Sequence, residues 1–331
     1  MTMNDDATIR MGDSFFATKE YRKSIEAYKK VVDQYGASAD YAQYQMAMSY
    51  GFLEKNNFKI RELENLLTNF ELSNFRDDAL FQLGNTYSAQ KDTKNAHNAY
   101  KKLFQNFPKS SYTARALLRD GLLFYNDNKN VKALKNYQEI VAKYPNSSEA
   151  REAVNNAKNV YIDLGTVDEY AVWVRGISFV NITDAELDNT TYESAENKFL
   201  ANDVPKAIEG FKKYIQAFPK GLHALQANFY LAQLLVKTNL EEDAIANYQY
   251  VLALPQSEFS EEALNKLSQI LKSEDVVVFI AGVVPVKHLK MLEENIEICF
   301  NVTNALLKKN IQHLIYISSD AVYEDSKNLI S

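Results

Sequence analysis

Cysteine, glycine and proline are scarce in this sequence, and each shortage excludes a class of protein. A single cysteine, Cys299, among 331 residues rules out an intramolecular disulfide and a cysteine-based zinc site. Ten glycines and six prolines, against 21 tyrosines and 18 phenylalanines, favour helices joined by short turns over an all-β fold. The four histidines are scattered without a carboxylate or cysteine at ligand spacing, so we expect no metal site and no cofactor.

Long apolar runs and a basic charge are also missing. No run approaches the roughly 20 residues that a membrane-spanning helix needs, so we predict no membrane span. The net charge of −6 gives no reason to expect a nucleic-acid partner. The N-terminal stretch MTMNDDATIR lacks the basic start and apolar core of a signal peptide. Two locations stay open: the cytoplasm, or the periplasm and cell envelope if an export signal has been removed.

What the sequence has instead is an internal repeat with a period of 37 residues. Aligning 83–108 with 120–145 pairs a glycine, an alanine, a tyrosine and a proline at this offset. The matched positions are Gly84 and Gly121, Ala96 and Ala133, Tyr100 and Tyr137, and Pro108 and Pro145. This spacing predicts paired helices, because small residues let two helices approach closely and proline ends the second helix. We expect the tyrosine to fill the space towards the next pair.

The recurring order of small, aromatic, small, aromatic and proline residues resembles the tetratricopeptide repeat over roughly residues 5–272. The resemblance implies an all-α, right-handed superhelical solenoid of helix pairs, each with a first (A) helix and a second (B) helix. We predict this solenoid over 1–272, with about seven repeats, one of them degenerate near 151–185, and one further truncated repeat. Turns such as NFPKSSYTARA resemble those of bacterial cell-envelope members of the family that assist outer-membrane assembly or cell division.

The resemblance also implies a non-catalytic scaffold that binds a peptide or a partner protein in the groove lined by its A helices. Counting from the small residue of each A helix selects apolar, aromatic and amide side chains for this groove. The candidate groove residues are Tyr44, Met48, Phe81, Asn85, Tyr125, Phe229 and Gln233. Asn85 matches an asparagine with which some members clamp a peptide carboxylate, but the lysines of that clamp are missing. Alternatively, the aromatic candidates pack against neighbouring A helices, because apolar stripes are usually core.

The repeat pattern stops at about Ser273, and the remaining residues follow a different one. DVVVFIAGVV is typical of a buried parallel strand, 287–310 has the period of a helix, and 311–319 is typical of a second strand. We therefore predict a second domain over 273–331, a short and incomplete βαβ Rossmann-like fragment. A two-stranded unit cannot cover both of its faces, so self-association through these strands is a further expectation. The change of pattern indicates a chimera: a gene fusion, an assembly artefact or an engineered chain.

This C-terminal fragment resembles part of the extended short-chain dehydrogenases, the NAD-dependent epimerases and dehydratases. Ala281 and Gly282 match the strand end beside the cofactor, and Asn295 matches the asparagine at the helix start. Ser319 matches the serine that helps to hold the substrate oxygen. The glycine-rich phosphate turn and the Tyr-x-x-x-Lys pair are both missing, so we predict no catalysis and no bound cofactor. An epimerase-related oxidoreductase is the alternative function.

Overall fold

The structure, a computed structural model, describes residues 3–36, 38–270, 276–281, 300, 304 and 313–318. Within these residues it contains fifteen helices and two strands. The chain divides into two compact units, unit 1 over Met1–Asn181 and unit 2 over Ile182–Ser331. The division of the sequence at residue 272 remains a prediction.

Unit 1 is a succession of helical hairpins, each made of an A helix followed by a B helix. The A helices are α1 (Met3–Ala17), α3 (Ala39–Phe52), α5 (Arg76–Ala89), α7 (Thr113–Asn126) and α9 (Ser148–Leu164). The B helices are α2 (Tyr21–Asp33), α4 (Asn56–Asn69), α6 (Thr93–Asn106), α8 (Asn130–Lys143) and α10 (Val167–Arg175). Each A helix packs on its own B helix, and each B helix from α2 to α8 also packs on the next A helix. Successive hairpins therefore cover one another, as in repeat proteins.

Unit 2 contains helices in the same order of A and B and, in addition, two strands. Its helices are α11 (Asp184–Leu200), α12 (Val204–Ala217), α13 (Ala224–Lys237), α14 (Glu241–Leu252) and α15 (Ser260–Ile270). Helices α11 to α14 form two hairpins, and α15 packs on α14 as the A helix of a third. Strands β1 (Val276–Ala281) and β2 (His313–Ser318) pair in parallel, with Val276 opposite His313 and Ala281 opposite Ser318.

The predicted βαβ Rossmann-like fragment is wrong. In the described residues the two strands form an isolated pair, and no described helix forms a layer over it. Of the predicted helix over 287–310, only positions 300 and 304 lie among the described residues. The β-branched run predicts a buried strand, but it does not specify that the covering element is a helix, which a Rossmann-like layer requires. The described architecture is instead a helical repeat stack.

In three hairpins of unit 1, a glycine of the A helix lies directly against a tyrosine ring of the B helix. The three pairs are Gly12 with Tyr28, Gly84 with Tyr100, and Gly121 with Tyr137. A Cβ atom at Gly121 would lie 2.6 Å from Cε1 of Tyr137, closer than carbon atoms can pack. The repeat therefore predicts the close approach correctly. The tyrosine ring, however, fills space inside its own hairpin, because the missing glycine side chain leaves that space there.

Every turn from an A helix to a B helix contains one residue in the left-handed backbone conformation. These residues, with φ between 55° and 77°, are Lys19, Glu54, Lys91, Asn128, Gly165, Asn202 and Asn239. From Lys91 onward they recur every 37 residues. The turn at Gly165 therefore keeps the period, although the sequence of the α9–α10 hairpin is degenerate. Glycine and asparagine adopt this conformation more readily than lysine or glutamate.

Candidate functional site

The predicted groove residues all lie on A helices. Tyr44 and Met48 lie on α3, Phe81 and Asn85 on α5, Tyr125 on α7, and Phe229 and Gln233 on α13. The set is therefore divided between the units, with its first five members in unit 1 and its last two in unit 2. Phe81 and Phe229 are buried, whereas the other five are half-buried. Binding by these side chains remains a prediction.

Aromatic stacking joins successive A helices in both units. In each case a ring on one A helix packs on a ring directly before the next A helix. Three of these pairs are stacked, and their ring centroids lie 5.5 Å apart in Tyr44–Phe75, 4.9 Å in Phe81–Tyr112 and 4.2 Å in Tyr192–His223. The rings of the fourth pair, Phe229–Phe259, lie 4.6 Å apart and are tilted by 33°. Three predicted groove residues thus have a packing role between hairpins. Sequence reasoning missed the partner rings, although they follow at a spacing of 30 or 31 residues.

The two amide candidates also have partners inside their own units. The Tyr100 hydroxyl donates a hydrogen bond of 2.8 Å to Oδ1 of Asn85. Burial raises the pKa of Tyr100, so the hydroxyl stays protonated and remains a donor. Gln233 Nε2 donates a hydrogen bond of 2.9 Å to Oε1 of Glu262 on α15. Asn85 therefore serves the packing of the α5–α6 hairpin, and Gln233 links α13 to α15.

Met48 and Tyr125 complete the predicted set. Met48 packs against the buried cluster that contains Ala47 and Leu63. The Tyr125 hydroxyl donates a hydrogen bond of 2.5 Å to Oδ2 of Asp163, and burial together with this carboxylate raises the pKa of Tyr125 to about 12. Both side chains are only half-buried, so part of each remains accessible to a partner.

The residues matched to the dehydrogenases fall mostly outside the described part of the chain. Gly282, Asn295 and Ser319 lie outside it, and Ala281 is the last residue of β1, opposite Ser318. In the described ranges, no three His, Cys, Asp or Glu side chains are grouped so that they could hold a metal ion. None of the described helices combines the length and the apolar character that crossing a membrane requires.

A cavity that the sequence did not predict opens on the A helices of unit 2. Its volume is about 480 Å³, and its lining comes from α11, from α13 and from the residues just before α13 and α15. We call it the acidic aromatic pocket, after its rings Tyr192, Tyr230 and Phe259 and its carboxylates Glu193, Glu196 and Glu258. Its lining contains no lysine and no arginine. No short motif marks this pocket, because its residues come from three successive hairpins.

The aromatic wall of this pocket is held in place by its neighbours. The Tyr192 ring stacks on His223, and its hydroxyl donates a hydrogen bond of 3.0 Å to Oε1 of Glu196. The Tyr230 ring stacks on Phe199 at 4.8 Å. Burial, with the carboxylates of Glu196 and Glu258 nearby, raises the pKa of Tyr230. Both tyrosines therefore stay neutral at physiological pH, and the negative charge of the pocket lies on its glutamates.

Unit 1 has a second cavity, of about 460 Å³, which is lined mainly by B helices and also by one A helix. Its lining comes from α4, α5 and α6, and includes Leu67, Leu83 and Tyr87. The polar part of this lining is mixed, because Lys101 and Lys102 lie with amide side chains on α6, and Glu64 accepts a hydrogen bond from Tyr87. This second cavity therefore lacks the single sign of charge that distinguishes the acidic aromatic pocket.

Comparison with protein families finds the tetratricopeptide repeat at residues 6–38, 78–110 and 115–147. These matches coincide with the hairpins α1–α2, α5–α6 and α7–α8, and they confirm the predicted repeat there. A comparison with curated proteins gives no match. Nothing in the comparisons supports a cell-envelope type or a dehydrogenase-like fragment.

Several solved structures are similar to this chain. One is a chain from a structure of Naa15/Naa10 bound to HypK-THB, with a TM-score of 0.51 and 14% identity. The likeness covers 80% of the present chain but only 38% of the length of that neighbour. Another is a tetratricopeptide repeat protein from Parabacteroides merdae, with a TM-score of 0.44, 14% identity and coverage of 81% of this chain and 98% of that chain. A third is the C-terminal part of a tetratricopeptide repeat protein from Cytophaga hutchinsonii, with a TM-score of 0.41, 17% identity and coverage of 78% and 99%.

At such identities a structural likeness shows the fold alone, and only the first of these three has a TM-score above 0.5. The family match is therefore the observation that identifies the repeat. Its three matched segments and the hairpins of both units agree in their order of an A helix, a left-handed turn residue and a B helix. This chain carries tetratricopeptide repeats at these three segments of unit 1, and unit 2 contains helical hairpins of the same order.

Proposed function

We propose that the chain is a non-catalytic scaffold that binds a segment of a partner protein on the A-helix face of its repeats. Tetratricopeptide repeats generally act as scaffolds that bind proteins, and the first structural neighbour was solved in a complex bound to HypK-THB. The observation that carries the proposal is the acidic aromatic pocket, which opens on A helices and not on B helices.

The size and lining of this pocket suit a side chain of a bound peptide. Its volume of about 480 Å³ falls in the range of ligand pockets, about 300–1,000 Å³. Tyr230 and Phe259 are half-buried, so a partner side chain would cover ring surface that is now exposed to water. Burying apolar surface gains about 25 cal/mol per Å². Aromatic side chains that a partner covers in this way are frequent hot spots of binding.

The predicted groove residues belong to this proposal as further contact points. Met48 and Tyr125 are the best candidates in unit 1, because they keep accessible surface and lie outside the stacking pairs. A cell-envelope location, a chimeric origin and self-association through β1 and β2 stay predictions. An oxidoreductase is not proposed, because the described strand pair is not a Rossmann-like layer.

The proposal is tested by selecting peptides from a random display library on the full chain and measuring their affinity for two matched variants. Tyr230→Ala removes a ring of the pocket, and Tyr250→Ala removes a half-buried ring from B helix α14 of the same unit. We expect the first variant to bind at least about tenfold more weakly, since a buried aromatic contact is worth about 1.4 kcal/mol or more. The second should bind as the unmodified protein does.

Circular dichroism melts of both variants show whether either change unfolds unit 2. Selection that yields no specific peptide would contradict the proposal. An equal loss of affinity in two folded variants would also contradict it, because the contact would then not be on the A helices.

A further inference from the structure

Negative charge is concentrated in the part of the sequence that builds the helices of unit 2. Residues 182–270 contain 13 acidic and 7 basic side chains, a net charge of −6. Residues 1–181 contain 22 acidic and 24 basic side chains, a net charge of +2. The acidic aromatic pocket therefore lies in an acidic stack of helices, where the field favours a positively charged partner.

We infer that the acidic aromatic pocket binds a lysine or arginine side chain of the partner segment. This inference rests on the proposed function, because it names the chemistry of the segment that the A-helix face would bind. The occupant is a cationic side chain carried by a peptide, and it is chosen because both the carboxylates and the rings of the pocket attract a cation.

The carboxylates of the pocket are available to such a side chain. Among the described residues, Glu193, Glu196 and Glu258 form no ion pair with a lysine or arginine. Glu193 and Glu258 are exposed, and Glu196 is half-buried and oriented by the hydroxyl of Tyr192. Guanidinium and ammonium groups donate short, strong hydrogen bonds to carboxylates. A cation placed in the pocket would meet these acceptors without displacing an existing ion pair.

The rings of the pocket add a second attraction of the same sign. The face of an aromatic ring is negative, so a cation within about 6 Å of its centre is attracted. Tyr230 and Phe259 lie together, with ring centroids 6.0 Å apart and planes at 73° to each other. The apolar stem of a lysine or arginine can pack on such rings while its charged end reaches a carboxylate. A neutral aliphatic side chain would gain only the packing on the rings, and not the contact with a carboxylate.

The cavity of unit 1 offers an internal comparison. It is similar in volume, at about 460 Å³ against about 480 Å³, but its lining includes Lys101 and Lys102. There the lysines oppose the attraction that the carboxylate of Glu64 would exert on a cationic side chain. Selectivity for a cation is therefore expected of the acidic aromatic pocket alone, within the two cavities described.

The test compares peptide libraries selected on the full chain and on a variant with Glu193→Gln, Glu196→Gln and Glu258→Gln. We expect lysine and arginine to be enriched over the input library on the unmodified chain, and this enrichment to disappear on the triple variant. A selected peptide should lose affinity when its cationic residue is replaced by citrulline or acetyl-lysine, which keep the shape but lose the charge. Each single glutamine should weaken binding about threefold, less so at high salt.

Glu241→Gln is the matched control, because it removes one charge from B helix α14 of the same unit and should leave affinity unchanged. Unchanged binding of a selected peptide to the triple variant would overturn the inference. If Tyr230→Ala still abolished that binding, the proposed scaffold function would stand without the preference for a cation. If neither variant altered binding, both would fail.

Discussion

The hairpins α5–α6 and α7–α8 lie one period apart in the same unit, yet one of their equivalent positions has different chemistry. Both pack a glycine of the A helix against a fully buried tyrosine of the B helix. In the first, the residue after the glycine is Asn85, which accepts a hydrogen bond from Tyr100. In the second it is Leu122, and the hydroxyl of Tyr137 is buried without a partner among the described residues.

This difference shows that the repeat specifies the packing of a hairpin more strictly than its hydrogen bonds. A small residue at this position of the A helix, glycine or alanine, recurs in the hairpins and lets the B-helix ring pack closely. The acceptor for the ring hydroxyl is a separate choice at the next position of the A helix. In hairpin α11–α12 of unit 2 the same position is occupied by Glu196, and the matching B-helix ring is Phe211, which has no hydroxyl. Glu196 therefore lines the pocket and does not serve a ring of its own B helix.

The largest expected change in stability comes from the contact between the A-helix glycine and the B-helix tyrosine, which both hairpins have. Gly84→Ala places a methyl group into the Tyr100 ring, so the helices must separate, and we expect a loss of about 1–3 kcal/mol in the free energy of unfolding. The matched control is Gly51→Ala on α3, where the new methyl group would meet only the flexible side chain of Lys59. That change should be neutral or stabilising, because alanine favours helix. Urea unfolding of both variants measures the difference, and equal losses would contradict the contact.

The next largest effect is a difference in stability between removing the hydroxyl of Tyr100 and removing that of Tyr137. Tyr100→Phe removes a hydrogen bond and leaves Asn85 without its donor, so we expect a loss of about 1 kcal/mol. Tyr137→Phe removes a hydroxyl that has no partner, so it should be neutral or slightly stabilising. Hydrogen exchange of the amides in α5–α8, together with the urea midpoint, reports both changes. A greater loss for Tyr137→Phe than for Tyr100→Phe would show that the hydrogen-bond assignment is wrong.

Much of this fold follows from the sequence because its physical causes are local and periodic. The prolines predict the ends of B helices: α6, α8 and α12 end two residues before Pro108, Pro145 and Pro219. The small residues predict the close approach of the helices. The predicted Rossmann-like fragment was wrong because a strand pattern does not report what packs on the sheet.

The candidate site followed from the sequence only in part. The period places Tyr44, Phe81 and Phe229 on A helices, but it cannot distinguish a groove residue from one that stacks on the next hairpin. That distinction depends on whether an aromatic residue stands directly before the next A helix. The alignment of small residues gives no information on that position. The acidic aromatic pocket was missed for a related reason. Its walls come from side chains about 30 residues apart, so it exists only once the hairpins have stacked.

The smallest expected change in stability concerns the turns that follow A helices α5 and α7. Lys91 and Asn128 occupy equivalent left-handed positions, with φ of 61° and 57°. Asparagine tolerates this conformation better than lysine because its short polar side chain can hydrogen-bond locally. We therefore expect Lys91→Asn to stabilise the protein by about 0.5 kcal/mol and Asn128→Lys to destabilise it by a similar amount. Urea midpoints of the two variants measure this exchange. Shifts of the same sign would mean that a contact of the side chain, and not the backbone conformation, decides stability at these turns.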